Sequence, residues 1–334
     1  MAKISFNKKH VTLDSVRVSY DEKTDTIHLT AKDKDFISSD QFHITLNKDS
    51  KIEETLRKVL NKHGVITDDK VKSLPKRVDF SSRDSSKDAY SEIPLGVLRD
   101  GSELKWMVNE SPHLFVYGSV GSGKSILERV LLKYTSSFKE EYEVYGVDFK
   151  AIEMSSYKEK GLLKDLTTDR QSTAELLSHL QKEQKMRYEA MEDSGVNHYT
   201  DLKDKPKGII VVVDELTYLT EKVNTNGLSR IEALKENLHR ENIIESLKSL
   251  SRLGRRSGIH LALFSRGLID IELQEFLNNN PTTVVAGKVS KDDSNKLLKS
   301  ELAFNTTRVP GRAVFMQHNE VGPFQMYHDM NPHK

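Results

Sequence analysis

Apolar residues near the N-terminus recur at every second position. They do so in the segments 16–20 and 27–31, which predicts two strands joined by a hairpin turn. The segment 42–46 predicts a third strand. A capping box precedes a helical stripe over 52–64. We therefore predict a small α+β domain over residues 1–70, which would serve as an adaptor or a subunit contact.

The following stretch, residues 71–92, has few apolar positions and is rich in serine and charge. That composition is typical of a linker. We expect the larger domain to begin near Ile93 and to occupy residues 93–334.

Within this larger domain, short apolar runs alternate with longer stretches of helical period. The runs predict buried strands of a mainly parallel sheet over 114–117, 144–149, Gly208–Val213, 259–264 and 283–287. The helical stretches are 126–134, 172–191, 229–256 and 295–302, and 311–315 with 324–327 predicts a terminal hairpin. The helix from Ser172 begins with a capping-box pattern. The helix predicted over 229–256 carries Ile231, Leu234 and Leu238 on one side. Further along the helix the same side carries Ile244, Leu247 and Leu250. The fold class is α/β.

The first strand–helix junction carries the pattern G-x-x-x-x-G-K-S. Glycines let the backbone N–H groups turn inward on phosphates, and the helix N-terminus adds further donors. Lys124 would reach the β- and γ-phosphates, and Ser125 would ligate Mg²⁺. The pattern predicts ATP as ligand, bound by Gly118, Ser119, Val120, Gly121, Ser122, Gly123, Lys124, Ser125 and Ile126.

Two adjacent carboxylates, Asp214 and Glu215, follow the most apolar strand. In open α/β sheets the carboxyl ends of the strands face the ligand. Asp214 would hold Mg²⁺ through water, and Glu215 would act as the general base on the attacking water.

A basic stretch lies between Ser246 and Ile269, where acidic residues are absent from the sequence. Cations near a helix C-terminus complement its dipole. Alternatively, one arginine reaches the nucleotide of a neighbouring subunit and stabilises transition-state charge. Both interpretations stay open, and the candidates are Arg252, Arg255, Arg256 and Arg266.

Composition narrows the setting. The 334 residues include 36% apolar and 30% charged residues, no cysteine, and a net charge of +1. We expect a cytoplasmic protein without membrane insertion. A nucleic-acid site would have to be a local patch, or be built from several subunits.

Several motifs in order resemble the motor domain of FtsK/SpoIIIE-type DNA translocases over roughly 93–327. They are Ser111-Pro112-His113-Leu114, Val147-Asp148-Phe149-Lys150, Ile152-Glu153-Met154-Ser155 with Tyr157, Thr168-Asp169, Glu183, Met186-Arg187-Tyr188, Gly195-Val196-Asn197, Asp214-Glu215-Leu216 and the run from Arg252 to Leu261. The resemblance implies a RecA-like P-loop ATPase. It also implies a homo-oligomeric ring, usually hexameric, that moves double-stranded DNA with ATP and Mg²⁺. Residues 1–70 would then contact a protein partner.

Two other functions remain open. Type VII secretion motors share this domain but act on polypeptide. A regulatory subunit would bind ATP without moving anything. Intact Lys124, Ser125, Asp214 and Glu215 argue against the regulatory subunit.

Departures from the family pattern sharpen the expectation. Phe264-Ser265-Arg266 stands where the family carries a glutamine, so Ser265 or Arg266 would sense the γ-phosphate. Phe149 replaces a usual proline. The chain shows neither a winged-helix domain nor a membrane segment, which favours a soluble motor of a plasmid, integrative element or phage.

Overall fold

The computed structural model describes residues 16–21, 26–31, 44–46, 74–151, 154–223, 227–267, 282–306, 309–318 and 320–329. The chain divides into two compact units, Met1–Lys72 and Ser73–Lys334. The strands are β1 (Val16–Asp21), β2 (Thr26–Ala31), β3 (Ile44–Leu46), β4 (Val78–Asp79), β5 (Glu92–Val97), β6 (Glu103–Met107), β7 (His113–Tyr117), β8 (Tyr142–Val147), β9 (Asp165–Thr167), β10 (Gly208–Val213), β11 (Ile259–Ser265), β12 (Thr282–Ala286), β13 (Arg312–Gln317) and β14 (Glu320–His328). The helices are α1 (Lys124–Ser136), α2 (Ser155–Glu159), α3 (Arg170–Ser194), α4 (Leu216–Thr220), α5 (Arg230–Ser257), α6 (Lys291–Leu298) and α7 (Leu302–Asn305).

In the smaller unit the three strands form one antiparallel sheet in the order β1-β2-β3. The first two strands pair over their whole length, from Val16 opposite Ala31 to Asp21 opposite Thr26. The hairpin predicted from the alternating pattern is confirmed. The helix predicted over 52–64 lies outside the described residues.

The larger unit is built on one sheet, which has eleven strands among the residues described. Its middle is parallel, in the order β12-β7-β11-β10-β8-β9. Antiparallel strands extend it on one side, in the order β12-β13-β14-β5-β6, and β4 pairs with β14. The predicted α/β class with a mainly parallel core is confirmed, and the sheet is wider than the sequence indicated.

Apolar residues on both faces explain why the central strands lie inside. β7, β10 and β11 are buried along their whole length. Side chains of one parity, such as Val116 and Val212, join the core under α1. Those of the other parity, such as Phe115 and Val211, join the core under α3 and α5. Strands buried on both faces favour a parallel sheet with helices on each side.

Two expectations about where helices begin and end were wrong. Helix α3 is capped by Asp169, whose side chain accepts from the Ser172 N–H at 2.8 Å, so the capping-box start at Ser172 lies one turn inside the helix. Helix α6 begins after its N-cap Ser290 and ends at Leu298, whereas the pattern predicted 295–302.

In helix α5 the apolar side is split, which also departs from the expectation. Leu247 and Leu250 are fully buried, whereas Ile231, Leu234 and Leu238 are 67, 63 and 55% exposed. Only the second half of α5 packs on the sheet, so the apolar positions of its first half face outward.

Residues 73–92, predicted as a linker, belong to the larger unit. Leu74 and Phe80 are buried, and the Phe80 ring packs edge-on against Tyr327 with centroids 5.7 Å apart. Two apolar anchors and a two-residue strand fix this polar segment to β14. The domain boundary therefore lies near Lys72. Among the helices described in either unit, none combines the length and apolar character needed to cross a membrane.

Candidate ATPase site

The phosphate loop connects the buried strand β7 to helix α1. Gly123, the N-cap of α1, has φ 103°, a left-handed conformation that favours glycine. A Cβ atom there would lie 3.3 Å from the Gly311 Cα and 3.4 Å from the Met326 sulfur. Gly123 therefore allows both the turn of the loop and its close approach to Gly311 and to Met326 of β14. The first N–H groups of α1 have no partner within the helix, and at this point they can donate to an anion and stabilise it.

Lys124 lies over the loop rather than in solvent. Its ammonium donates to the Gly118 carbonyl and, at 3.2 Å, to the Ser119 carbonyl. Burial lowers the pKa of this ammonium, and the nearby charge of Glu215 opposes that effect. The cation is thus held where the predicted phosphates would lie.

The other predicted loop residues differ in exposure. Val120 stands at the tip and is 79% exposed, whereas the Ser122 hydroxyl is buried without a hydrogen-bond partner among the described residues. The Ser119 hydroxyl donates to the Lys288 carbonyl at 3.3 Å. Ser125 and Ile126 lie in the first turn of α1, and Gly121 is exposed at the turn with φ 80°.

The acidic pair follows β10 at the same edge of the sheet. The Asp214 N–H donates to the Val147 carbonyl at 3.0 Å, which holds the carboxylate beside the end of β8. One Asp214 oxygen lies 3.7 Å from the Lys150 ammonium. The Ser125 hydroxyl and the Asp214 carboxylate are hard oxygen donors, which fits Mg²⁺.

Strand order places Arg266 between the phosphate loop and the acidic pair. β11 lies between β7 and β10, and Arg266 is the first residue after it. Its Nε lies 2.9 Å from Glu215 Oε2, and its backbone N–H donates to Glu215 Oε1 at 3.0 Å. The Thr217 hydroxyl donates to the same Oε1 at 2.7 Å. The Glu215 side chain is only 3% exposed, so three donors from its own chain surround a buried carboxylate.

The four candidate arginines fall into two groups. Arg252, Arg255 and Arg256 lie in the last turns of α5, before β11 begins, and the Arg255 Nε donates to the Asn109 carbonyl at 2.9 Å. Arg266 follows the other end of that seven-residue strand. At about 3.3 Å per residue, roughly 20 Å separates the two groups. Only Arg266 lies at the phosphate loop of its own chain.

Two residues at the site carried no role in the sequence-based prediction. Lys150 approaches Asp214, and its ammonium also lies 5.6 Å from the centre of the Tyr218 ring, which stacks on Phe149. Thr217 holds Glu215. A usable signal for Lys150 was its position three residues after the apolar run that became β8.

Comparison with known proteins decides the class of this site. Residues 78–240 match the model of the FtsK/SpoIIIE family. This part of the chain is similar to the P-loop ATPase domains of that family. It is similar to the DNA translocase FtsK of Corynebacterium efficiens, with 29% identity over 228 residues, which cover 62% of this chain and 22% of that protein. The chain thus spans less than a third of the length of such relatives.

Solved structures show the same RecA-like fold. The conjugation coupling protein TcpA of pCW3, with ATPγS, has a TM-score of 0.71 at 21% identity, covering 97% of this chain and 90% of that one. The type VII secretion ATPase EccC of Thermomonospora curvata has a TM-score of 0.55 at 20% identity, covering 80% of this chain and 32% of its own. The predicted RecA-like P-loop fold of the FtsK/SpoIIIE-type domain is confirmed.

Proposed function

We propose that this protein is an ATP-driven translocase of double-stranded DNA. One observation supports this most directly. The phosphate loop, the Asp214–Glu215 pair and Arg266 lie together at one edge of the sheet, in a domain similar to those of the FtsK/SpoIIIE family. The relatives that this chain resembles are DNA translocases by name. The inference to DNA movement comes from that likeness.

Each residue takes a distinct part in the proposed hydrolysis. The N–H groups of the loop and the Lys124 ammonium bind and orient the phosphates. Ser125 and Asp214 would hold Mg²⁺, which neutralises charge on the β- and γ-phosphates. Glu215 accepts a hydrogen bond from the attacking water. Arg266 and Thr217 supply three donors to a carboxylate that has about four acceptor sites, so one site is left for the water.

The position of the second arginine group supports the proposal of a ring. Arg252, Arg255 and Arg256 lie too far from the phosphate loop of their own chain to touch its nucleotide. In a head-to-tail homo-oligomer, one of them would reach the nucleotide of the next subunit and stabilise its transition state. We propose a hexameric ring in the cytoplasm, with residues 1–70 contacting a protein partner.

The setting we favour is DNA transfer by a mobile element. The fold likeness to a conjugation coupling protein extends over nearly the whole of both chains. Packaging of phage DNA would use the same motor chemistry and is distinguished by its genetic context.

The decisive experiment is steady-state ATP hydrolysis with and without linear double-stranded DNA, at low and moderate salt. We expect stimulation by DNA that fades as salt rises, because phosphate contacts release counterions. Turnover that ignores DNA at both salt concentrations would contradict the proposal.

A second candidate is protein export, which the fold likeness to EccC favours. The net charge of +1 gives no general attraction to DNA. In the same assay, this function predicts indifference to DNA and stimulation by a cognate export substrate.

A further inference from the structure

Lys150 and Asp214 face each other where the neighbouring strands β8 and β10 end. The Lys150 ammonium lies 3.7 Å from Asp214 Oδ2. We propose that Lys150 is a positioning residue for the metal. Its ammonium and a divalent cation compete for the Asp214 carboxylate, so the cation binds together with the nucleotide phosphates rather than alone. The proposal rests on the ATPase function proposed above.

The loop that carries Lys150 is held by a buried carboxylate. Asp148 is 1% exposed, and its Oδ1 accepts the N–H groups of Lys150 and Ala151 at 3.0 and 3.1 Å. Its Oδ2 accepts the Met154 N–H at 3.2 Å. These bonds fix the backbone of Lys150 beside the end of β10, so the approach to Asp214 does not depend on a loose surface segment.

Burial makes the pair matter to the carboxylate. The side chain of Asp214 is 13% exposed and that of Lys150 is 33% exposed. A carboxylate that is largely withdrawn from water is stabilised by a nearby positive charge, and the attraction is screened less than at the surface. A metal that binds at Asp214 therefore has to replace a partner that already stabilises this charge.

The surrounding charges oppose a divalent cation that arrives alone. Burial lowers the pKa of the Lys124 ammonium, the charges of Glu215 and Asp214 oppose this effect, and those of Arg266 and Lys150 add to it. Three cationic and two anionic side chains thus share one electrostatic environment. The phosphates of a nucleotide bring enough negative charge to reverse this excess, so nucleotide and metal favour each other at the site.

The ammonium has a second partner within reach. It lies 5.6 Å from the centre of the Tyr218 ring, and this ring is stacked on Phe149 with centroids 6.4 Å apart. A cation near the face of an aromatic ring is stabilised. An ammonium that yields Asp214 to a metal therefore keeps a favourable contact, and the exchange costs little.

Binding of Mn²⁺ alone, without nucleotide, tests this competition. Mn²⁺ takes the same carboxylate and water ligands as Mg²⁺, and electron paramagnetic resonance measures its free concentration. Lys150→Met keeps a long side chain but removes the charge, and it should tighten Mn²⁺ binding roughly three- to tenfold. Lys150→Arg, which keeps the charge, should stay within about twofold of wild type.

Two controls locate the effect. In an Asp214→Asn background, Lys150→Met should no longer tighten Mn²⁺ binding, because the carboxylate for which the cations compete is gone. Lys164→Met removes another lysine that pairs with a carboxylate. Lys164 lies 3.0 Å from Glu143, near the start of β8, and its loss should leave the Mn²⁺ affinity unchanged.

The outcomes separate this role from the ATPase function. Equal Mn²⁺ affinity in wild type and Lys150→Met would overturn the role of Lys150 alone. Weaker binding in Lys150→Met, or tightening that persists with Asp214→Asn, would do the same. Equilibrium binding of ATP at saturating Mg²⁺ tests the function separately. A wild-type protein that binds no ATP would overturn the ATPase function, and with it a metal site that serves a nucleotide.

Discussion

Arg266 and Glu215 form an ion pair at the centre of the site, with Arg266 Nε 2.9 Å from Glu215 Oε2. The Glu215 side chain is buried, whereas that of Arg266 is 45% exposed. The pair is closed by a second bond, from the Arg266 backbone N–H to the other carboxylate oxygen. The proposed general base therefore has two of its roughly four acceptor sites occupied by the residue at the expected γ-phosphate sensor position. Arrival of a γ-phosphate would offer the guanidinium a second anion. Exchange of Arg266 from carboxylate to phosphate would therefore free Glu215 for water.

This relationship leads to a prediction for Arg266→Ala. We expect kcat to fall roughly 10²–10³-fold, because a guanidinium that stabilises transferring phosphoryl charge is lost, while ATP affinity changes less than about threefold. Arg266→Gln, which keeps a donor, should recover part of the loss. Single-turnover hydrolysis and equilibrium ATP binding measure the two effects. Arg230→Ala, at an exposed arginine beginning α5, is the control.

Mixing of variants then distinguishes action in cis from action in trans. Arg266→Ala subunits mixed with Lys124→Ala subunits should stay inactive. If Arg266 acts on the nucleotide of its own chain, every nucleotide site in the mixture lacks either Arg266 or Lys124. A trans-acting arginine, such as Arg255, would show recovered activity in the same mixture. Recovery with Arg266→Ala would contradict its assignment to its own site.

Glu215→Gln should separate binding from chemistry. The substitution keeps the size of the side chain but removes the base, so we expect ATP binding within a few-fold of wild type and a kcat loss of roughly 10²–10⁴-fold. Glu221→Gln is the matched control, because Glu221 and Glu215 line the same pocket next to Arg266. Wild-type turnover in Glu215→Gln would refute the general-base role.

The sequence predicted those parts of the site that are formed by consecutive residues. Gly118 to Ser125 encode their own turn, and Asp214 follows a strand whose burial its apolar side chains dictate. The pairing of Arg266 with Glu215 depends instead on β11 lying between β7 and β10. Strand order results from packing of the whole sheet, so the local periodicity of the sequence does not predict it.

The same reason explains the mistaken linker. Val78 and Asp79 pair with Tyr327 and His328, which lie at the far end of the chain. A polar segment can be fixed by two buried residues and a few backbone contacts when the partner strand is already in place. Composition averages over such a segment and misses the anchors.

The apolar positions of α5 provide a test of this distinction. Leu247→Ala and Leu250→Ala should each lower the free energy of unfolding by about 2–5 kcal/mol, because each leaves a cavity under the sheet. Ile231→Ala and Leu234→Ala, at exposed positions, should change it by no more than about 0.5 kcal/mol. Denaturant titration of the four variants measures the difference. Equal losses in both halves would show that the first half is packed within the folded chain.

Two buried histidines predict a loss of stability in mild acid. Burial lowers the pKa of His113 to about 4 and that of His260 to about 3, and both are neutral in the fold. His113 accepts the Leu261 N–H at 3.1 Å through Nδ1, so its other nitrogen, 2.9 Å from the Ser251 carbonyl, carries the proton.

The unfolded chain binds protons on these residues below pH about 6.5, whereas the folded chain does not. Stability is therefore complete above that pH and falls as the pH drops from 6.5 towards 4. For the two residues together, the loss between pH 7.5 and 5.5 should be roughly 2–3 kcal/mol. His260→Gln should shrink this pH dependence by about half, even if it lowers stability overall, since a glutamine does not titrate. Denaturant titrations at the two pH values give the comparison, and an unchanged pH dependence in His260→Gln would show that His260 is charged or exposed in the fold.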